Sequence, residues 1–222
     1  FAQGFSALVT PPRFEDKTKP GQIYRNVIEI NNVSPSSNTY TIETADWTFN
    51  AQDASVAFDN TLKPNSCRPW VFLESDKITL TANAKKRFRF EVRVPDNAPV
   101  QECRFAILIA GDPQQLKTAV ALPVAGRLGV VVYLAVGDAQ AQLVVNGFST
   151  GVTNGVRVPA MQVTNSGTAH TRLAGYIDGV DAQGKRHTFS PTSFPVLPGQ
   201  RNDVLLIPQT PNDKTPMPVV AF

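Results

Sequence analysis

Residues 87–94 read Arg-Phe-Arg-Phe-Glu-Val-Arg-Val, and this octet decides the fold. In an extended chain Phe88, Phe90, Val92 and Val94 fall on one side, and Arg87, Arg89, Glu91 and Arg93 on the other. Strict alternation of this kind fits a β-strand with one buried face and one wet face. Working outward, strand-like runs recur at 22–31, 38–49, 77–81 and 102–110. They resume at 141–145, 156–164, 171–178 and 203–207. Asn146-Gly147 and Asn154-Gly155 read as hairpin turns, because both central positions of a type I′ turn need positive φ.

Composition agrees with the pattern. The 222 residues include 18 prolines spread along the chain, more than the usual ~5%, and proline both removes a donor and clashes inside helices. Long helices are therefore excluded. At 42% hydrophobic and 18% charged, the chain has material for cores and no signature of disorder. No uninterrupted apolar run approaches the ~18 residues of a membrane span, so no membrane insertion is expected. A net charge of +3 is too small to point to nucleic acid. The pattern predicts an all-β chain of two sandwich domains, 1–136 and 137–222, joined at Gly137–Gln140. Val219–Phe222 is expected as a last edge strand of the second domain.

Few segments carry chemistry. Gly147-Phe148-Ser149-Thr150-Gly151 matches G-x-S-x-G. A nucleophile elbow needs a helix after the serine, and here another turn signal follows, so a Gly-rich hairpin loop is the better reading. An enzyme using Ser149 stands as a remote rival. His170 and His187 lie in polar, loop-like segments and read as exposed. No spacing of His, Cys or carboxylates suits a metal, and no cofactor is expected. Asn32-Val33-Ser34 is a formal glycosylation acceptor. Lys85, Lys86, Arg87, Arg89 and Arg93 form either an anion surface or, preferably, the solvated face of the decisive strand. Cys67 and Cys103 are either bridged or two buried thiols. The bridge is favoured because they are the only cysteines and both fall in the first domain.

The most unusual stretch is Thr118–Val136, TAVALPVAGRLGVVVYLAV, nearly all apolar with the single charge Arg127. Val120, Leu122 and Val124 share one face of an extended chain, and Pro123 among them is tolerated mainly on an edge strand. Two readings stay open here: an edge that accepts a partner's strand, or a strand that is central or covered.

At this point the chain resembles the periplasmic pilus-assembly chaperones, the PapD-like family. SALVTPPRF at 6–14, IEINN at 28–32, YTIETADWTF at 40–49, the segment 70–92, APVQECRFAILI at 98–109 and the stretch 118–134 follow the family's order. VTNSGTAHTRLAGYI at 163–177 and FPVLPGQRNDVLL at 194–206 do so in the second domain. The resemblance implies two immunoglobulin-like β-sandwich domains in a boomerang arrangement and a non-enzymatic protein. It also implies export to the periplasm with the signal removed, although Phe1–Gly4 alone fit equally a chain that never carried one.

The implied partners are pilus or fimbrial subunits lacking their own last strand, and an outer-membrane usher. A second copy capping the donor strand in a dimer is an open alternative. The chaperone would lend a long last strand, here with the donor row Val120, Leu122 and Val124. Two basic residues would anchor the subunit's terminal carboxylate. Arg13 matches the first; Val130 stands where the second, a lysine, is expected, and Arg127 is the substitute at hand. Leu134-Ala135 replaces the usual arginine-proline. The rival within this architecture is a structural or adhesive component of a cell-surface fibre.

Overall fold

The structure is a computed structural model and describes residues 6–51, 54–111, 114–115, 123–124, 126–181 and 183–209. The chain divides into two compact units, Phe1–Thr48 with Val56–Asp138, and Phe49–Ser55 with Ala139–Phe222. The first comprises β1 (Ala7–Thr10), β2 (Arg13–Thr18), β3 (Ile23–Asn32), β4 (Asn38–Asn50), β5 (Ser55–Asp59) and β6 (Val71–Leu73). It continues with β7 (Lys77–Leu80), β8 (Lys85–Arg93), β9 (Glu102–Gly111), β10 (Gln114–Gln115), β11 (Pro123–Val124) and β12 (Arg127–Val136). One sheet has the order β1-β3-β8-β6; the other runs β2-β12-β9-β4-β5, with β7 also on β4. The decisive octet behaves as its alternation requires. Phe88, Phe90 and Val92 are at most 1% exposed and pack against Ile28, Ile30, Ile42, Phe105, Ile107, Ile109, Val132 and Leu134. This sandwich core supplies the main driving force, since burying each such side chain is worth about 1.5–3 kcal/mol.

The second unit holds β13 (Leu143–Thr153), β14 (Val156–Asn165), β15 (Thr171–Arg172), β16 (Ile177–Val180), β17 (Arg186–Pro191), β18 (Pro195–Val196) and β19 (Arg201–Pro208). Its sheet runs β13-β14-β19-β17-β16, and β15 pairs with β18. The core gathers Met161, Val163, Phe189, Val196, Val204 and Leu206.

Several expectations change. The run 118–136 is not one strand: β12 begins only at Arg127, after Gly126. Pro123–Val124 pairs instead with Gln114–Gln115, one residue out of register with the β9–β12 ladder. Pro123 has no N–H to give a ladder. Asn154-Gly155 is a hairpin turn, with φ of 50° and 76°. Asn146-Gly147 is not, because β13 runs straight through it and takes up Asn146 as the extra residue of a bulge between Val145 and Gly147. The run 171–178 breaks into β15 and β16 around Gly175, whose φ is 105°. The expected strand at Val219–Phe222 lies outside the described residues.

Cys67 and Cys103 are bridged, with Cα atoms 5.3 Å apart, and both are buried. Closing a loop of 36 positions is worth about 3–4 kcal/mol in the chain-entropy account.

Asn32 is no glycosylation site, because it is fully buried and its amide is saturated. Nδ2 donates to the carbonyls of Ser36 (2.8 Å), Thr81 (2.9 Å) and Leu80 (3.1 Å). Oδ1 accepts from Asn38 Nδ2, Ser34 N and Tyr40 Oη. One side chain thereby joins the end of β3 to the start of β4 and the turn after β7. Asn165, at the end of β14, plays the same part in the second unit. It donates to Ala169 and Val196 carbonyls and accepts from Gln142 and Gly167 N–H. Removing such a group strands several buried partners at about 1–3 kcal/mol each. Asn32→Ala should therefore cost about 3 kcal/mol, read as a lowered urea midpoint at unchanged slope. A cost under about 1 kcal/mol would contradict the hub.

Candidate functional site

The site is built on β12. Alternation sends Val130, Val132, Leu134 and Val136 into the core and leaves Arg127, Gly129, Val131 and Tyr133 on the outer face of the sheet. On one side β12 pairs with β9 along its whole length, from Arg127↔Ala110 to Ala135↔Glu102. On the other it pairs in parallel with β2, but only from Val131↔Arg13 to Val136↔Thr18. The first bond on that side runs from Val131 N to Pro12 O, at 3.4 Å. Pro11 and Pro12 have no N–H, so β2 cannot extend backward along β12. Among the described residues no strand pairs with Arg127–Val130 on this side. The main chain of β12 thus has an open edge immediately before Arg13.

Arg13 is the parallel partner of Val131 and shares its outer face. Its side chain is half exposed and forms an ion pair with Glu15 at 2.8 Å. Arg127 lies on the same face, and its guanidinium carbon stands 5.6 Å from the centroid of the Phe58 ring. Phe58 comes from β5 and sits directly on Gly129: any Cβ added there would collide with the ring. Farther along the face, Trp47 donates to Phe105 O at 3.2 Å and packs edge-on against Tyr133. Arg104 lies over the Trp47 ring and pairs with Glu102. Burial lowers the Arg104 pKa, opposed by the negative charge of Glu102. Trp47, Tyr133 and Glu102 in this cluster are buried, and Arg104 is largely so.

The remaining candidates separate cleanly. Val120 and Leu122 lie outside the described residues, and Val124 is placed only by its pairing with Gln114. Val130, where the resemblance expects a lysine, is 1% exposed and belongs to the core. Ser149 lies in the middle of β13 opposite Ala160, so G-x-S-x-G forms no elbow. His187 is not exposed: its side chain is 8% accessible and bonds Asp181 at 2.8 Å. That bond, with the Lys185 and Gln183 N–H groups, lowers the Asp181 pKa. The basic stripe of β8 is a paired, solvated face, in which Lys85 meets Glu29, Lys86 meets Glu74, and Arg93 and Arg25 share Glu91. Sequence reasoning missed Phe58 and Gly129. Alternation of Val56 and Phe58 was their only local signal.

No protein-family model matches the chain, and no curated protein matches it in sequence. Solved structures do match in fold. The E. coli chaperone DraB aligns with a TM-score of 0.53 at 12% identity, over 92% of this chain and 86% of that one. A chain of the Salmonella enterica SafA pilin–SafB chaperone complex gives 0.52 at 14%, over 94% and 87%. The class 5 fimbriae chaperone CfaA gives 0.50 at 12%, over 96% of both chains. The chain has the two-domain β-sandwich fold of the PapD-like fimbrial chaperones. Among the described residues no helix is long and apolar enough to cross a membrane.

One ion pair of the β8 face gives a pH test. Glu74 accepts from Lys86 Nζ and from Arg89 N, and these bonds lower its pKa. A carboxyl lowered on folding stabilises the native state above its ordinary pKa and loses that contribution as pH falls. Glu74→Gln should lower the urea midpoint at pH 7 and lower it by less near pH 3. An equal difference at both values would contradict the pairing.

Proposed function

We propose that this chain is a periplasmic chaperone that holds pilus or fimbrial subunits by donating a strand, and passes them to an outer-membrane usher. The observation that carries the reading is the open edge of β12 beside Arg13, on a fold shared with fimbrial chaperones. One fold neighbour is a pilin–chaperone complex and another a chaperone–tip adhesin complex. A subunit strand would take up the unpaired main-chain groups of Arg127–Val130. The row Val120, Leu122 and Val124 would fill the groove of an incomplete sandwich. Main-chain bonds supply affinity in such augmentation, and alternate side chains supply fit.

Arg13 would grip the subunit's terminal carboxylate with its planar fork. Its present partner Glu15 is a placeholder. An exposed pair of this kind is worth only about 0–1 kcal/mol, so a carboxylate brought in by a docking strand displaces it at little cost. Arg127 supplies the second positive charge.

Co-expression with a pilin-like subunit should yield a soluble one-to-one complex. Leu122→Glu should abolish that complex while the thermal midpoint stays at the wild-type value. Arg13→Ala should weaken capture at least tenfold, about 1.4 kcal/mol or more. Full capture by Leu122→Glu would overturn the donor row. Filaments formed by this chain alone would make it a fibre component instead.

A further inference from the structure

We infer that the outer edge of β13 pairs with β13 of a second copy of this chain. The inference rests on the second unit alone and does not need the chaperone reading. β13 is the edge strand of its sheet, and among the described residues only β14 pairs with it. It is 11 residues long, about twice the usual strand. No Asp, Glu, Lys, Arg or Pro stands between Asp138 and Arg157. Exposed edges are ordinarily guarded by charge or proline. Here Val144, Val145, Phe148 and Val152 are exposed instead.

The ladder shows which main-chain groups face outward. Thr153↔Val156 closes the two-residue turn at Asn154-Gly155, and such a turn joins residues that exchange both hydrogen bonds. Counting back by twos, Gly151 and Ser149 also turn their main chain to β14. Phe148, Thr150 and Val152 therefore turn their N–H and C=O groups away from it. Pro159, opposite Thr150, has no N–H and fits that non-exchanging position. The same three residues share one exposed face, while Gly147, Ser149 and Gly151 occupy the other.

Apolar, threonine, apolar reads alike in both directions. An antiparallel copy centred on Thr150 sets the two Thr150 side chains opposite each other, and sets Phe148 of each copy opposite Val152 of the other. Threonine pairs and aromatic–β-branched pairs are favourable cross-strand neighbours. On the other face Ser149 meets Gly151, so nothing bulky collides. The register is bounded at both ends. Asn146 in the bulge and Asn154 in the turn stand equally far from Thr150, so the bulge of one copy meets the turn of the other. Because the strand is uncharged, two copies bring no like charges together. Residues 210–222 suit this edge less well, since Pro211, Pro216 and Pro218 have no N–H to give.

An edge pairing of this length is a small interface, so the dimer is a weak one that builds with concentration. Sedimentation equilibrium of the full chain should show monomer and dimer in exchange. Thr150→Lys should weaken the dimer at least tenfold with the thermal midpoint unchanged, because two like charges then meet across the axis. Thr150→Glu should do the same, and an equal mixture of the two variants should recover the dimer. Under mild oxidation Thr150→Cys should link two chains, since directly opposed residues of such a pair lie ~5.5 Å apart between Cα atoms. Phe148→Cys should link only when mixed with Val152→Cys. A chain that stays monomeric at every concentration, with Thr150→Cys remaining a free thiol, would overturn the pairing, whether residues 210–222 or another protein then hold the edge. A dimer indifferent to Thr150→Lys, or self-linking of Phe148→Cys, would overturn it equally.

Discussion

Two adjacent prolines, Pro11 and Pro12, set the constraint on which the first unit turns. They separate β1, which pairs with β3 in one sheet, from β2, which pairs with β12 in the other. One N-terminal segment therefore ties both sheets together at their edges. The same step limits how far β2 can accompany β12, because neither proline has an N–H to give. A sandwich normally hides or charges its edges. Here β2 closes the edge of β12 from Val131 onward, no strand among the described residues closes it before that point, and the boundary coincides with Arg13. The tie between the sheets and the limit of the β2–β12 ladder arise from one local break.

The two units share a second device. Each ends one strand with a buried asparagine, Asn32 or Asn165, whose amide ties together loops that have no regular partners of their own. A side-chain amide offers two donors and an acceptor with two lone pairs, so it can serve carbonyl and N–H orphans at once. Gly167, two residues after Asn165, is part of the same solution. A Cβ there would strike the main chain at Gln140–Gln142. These contacts keep loops rigid at an end of each sandwich where the apolar core gives no directional information.

What was legible in the sequence follows the same physics. Arg87–Val94 was readable because one face is wet, so burial and charge alternate in register. β12 was misread as part of a longer run because its residues are apolar on both faces, and nothing in such a run marks where pairing stops. Asn146-Gly147 mimicked a turn, yet glycine's freedom was used for a bulge, which only the partner strand reveals. The Asn32-Val33-Ser34 motif carried no hint of burial. Arg13 was singled out through resemblance alone, whereas the seat of Phe58 on Gly129 joins positions 71 residues apart and leaves no local trace. The periplasmic resemblance was carried by the order of weak motifs, and the shared fold at 12% identity has the same character.

Strand parity limits where a charge can stand on β12. Val130 lies on the core face of β12, where a lysine would face burial of an unpaired charge. A cation on the outer face must occupy an odd-numbered position of this strand. Position 131 faces Arg13 directly, so a second guanidinium there would crowd a like charge. Position 129 is closed by the Phe58 ring. Arg127 is the next outer position, and it is the one charged residue in the run. Positions three residues apart on a strand necessarily lie on opposite faces, so 127 and 130 cannot serve the same surface. The glycine, the aromatic ring and the arginine are thus one packing arrangement distributed over two strands, and none of the three is informative alone.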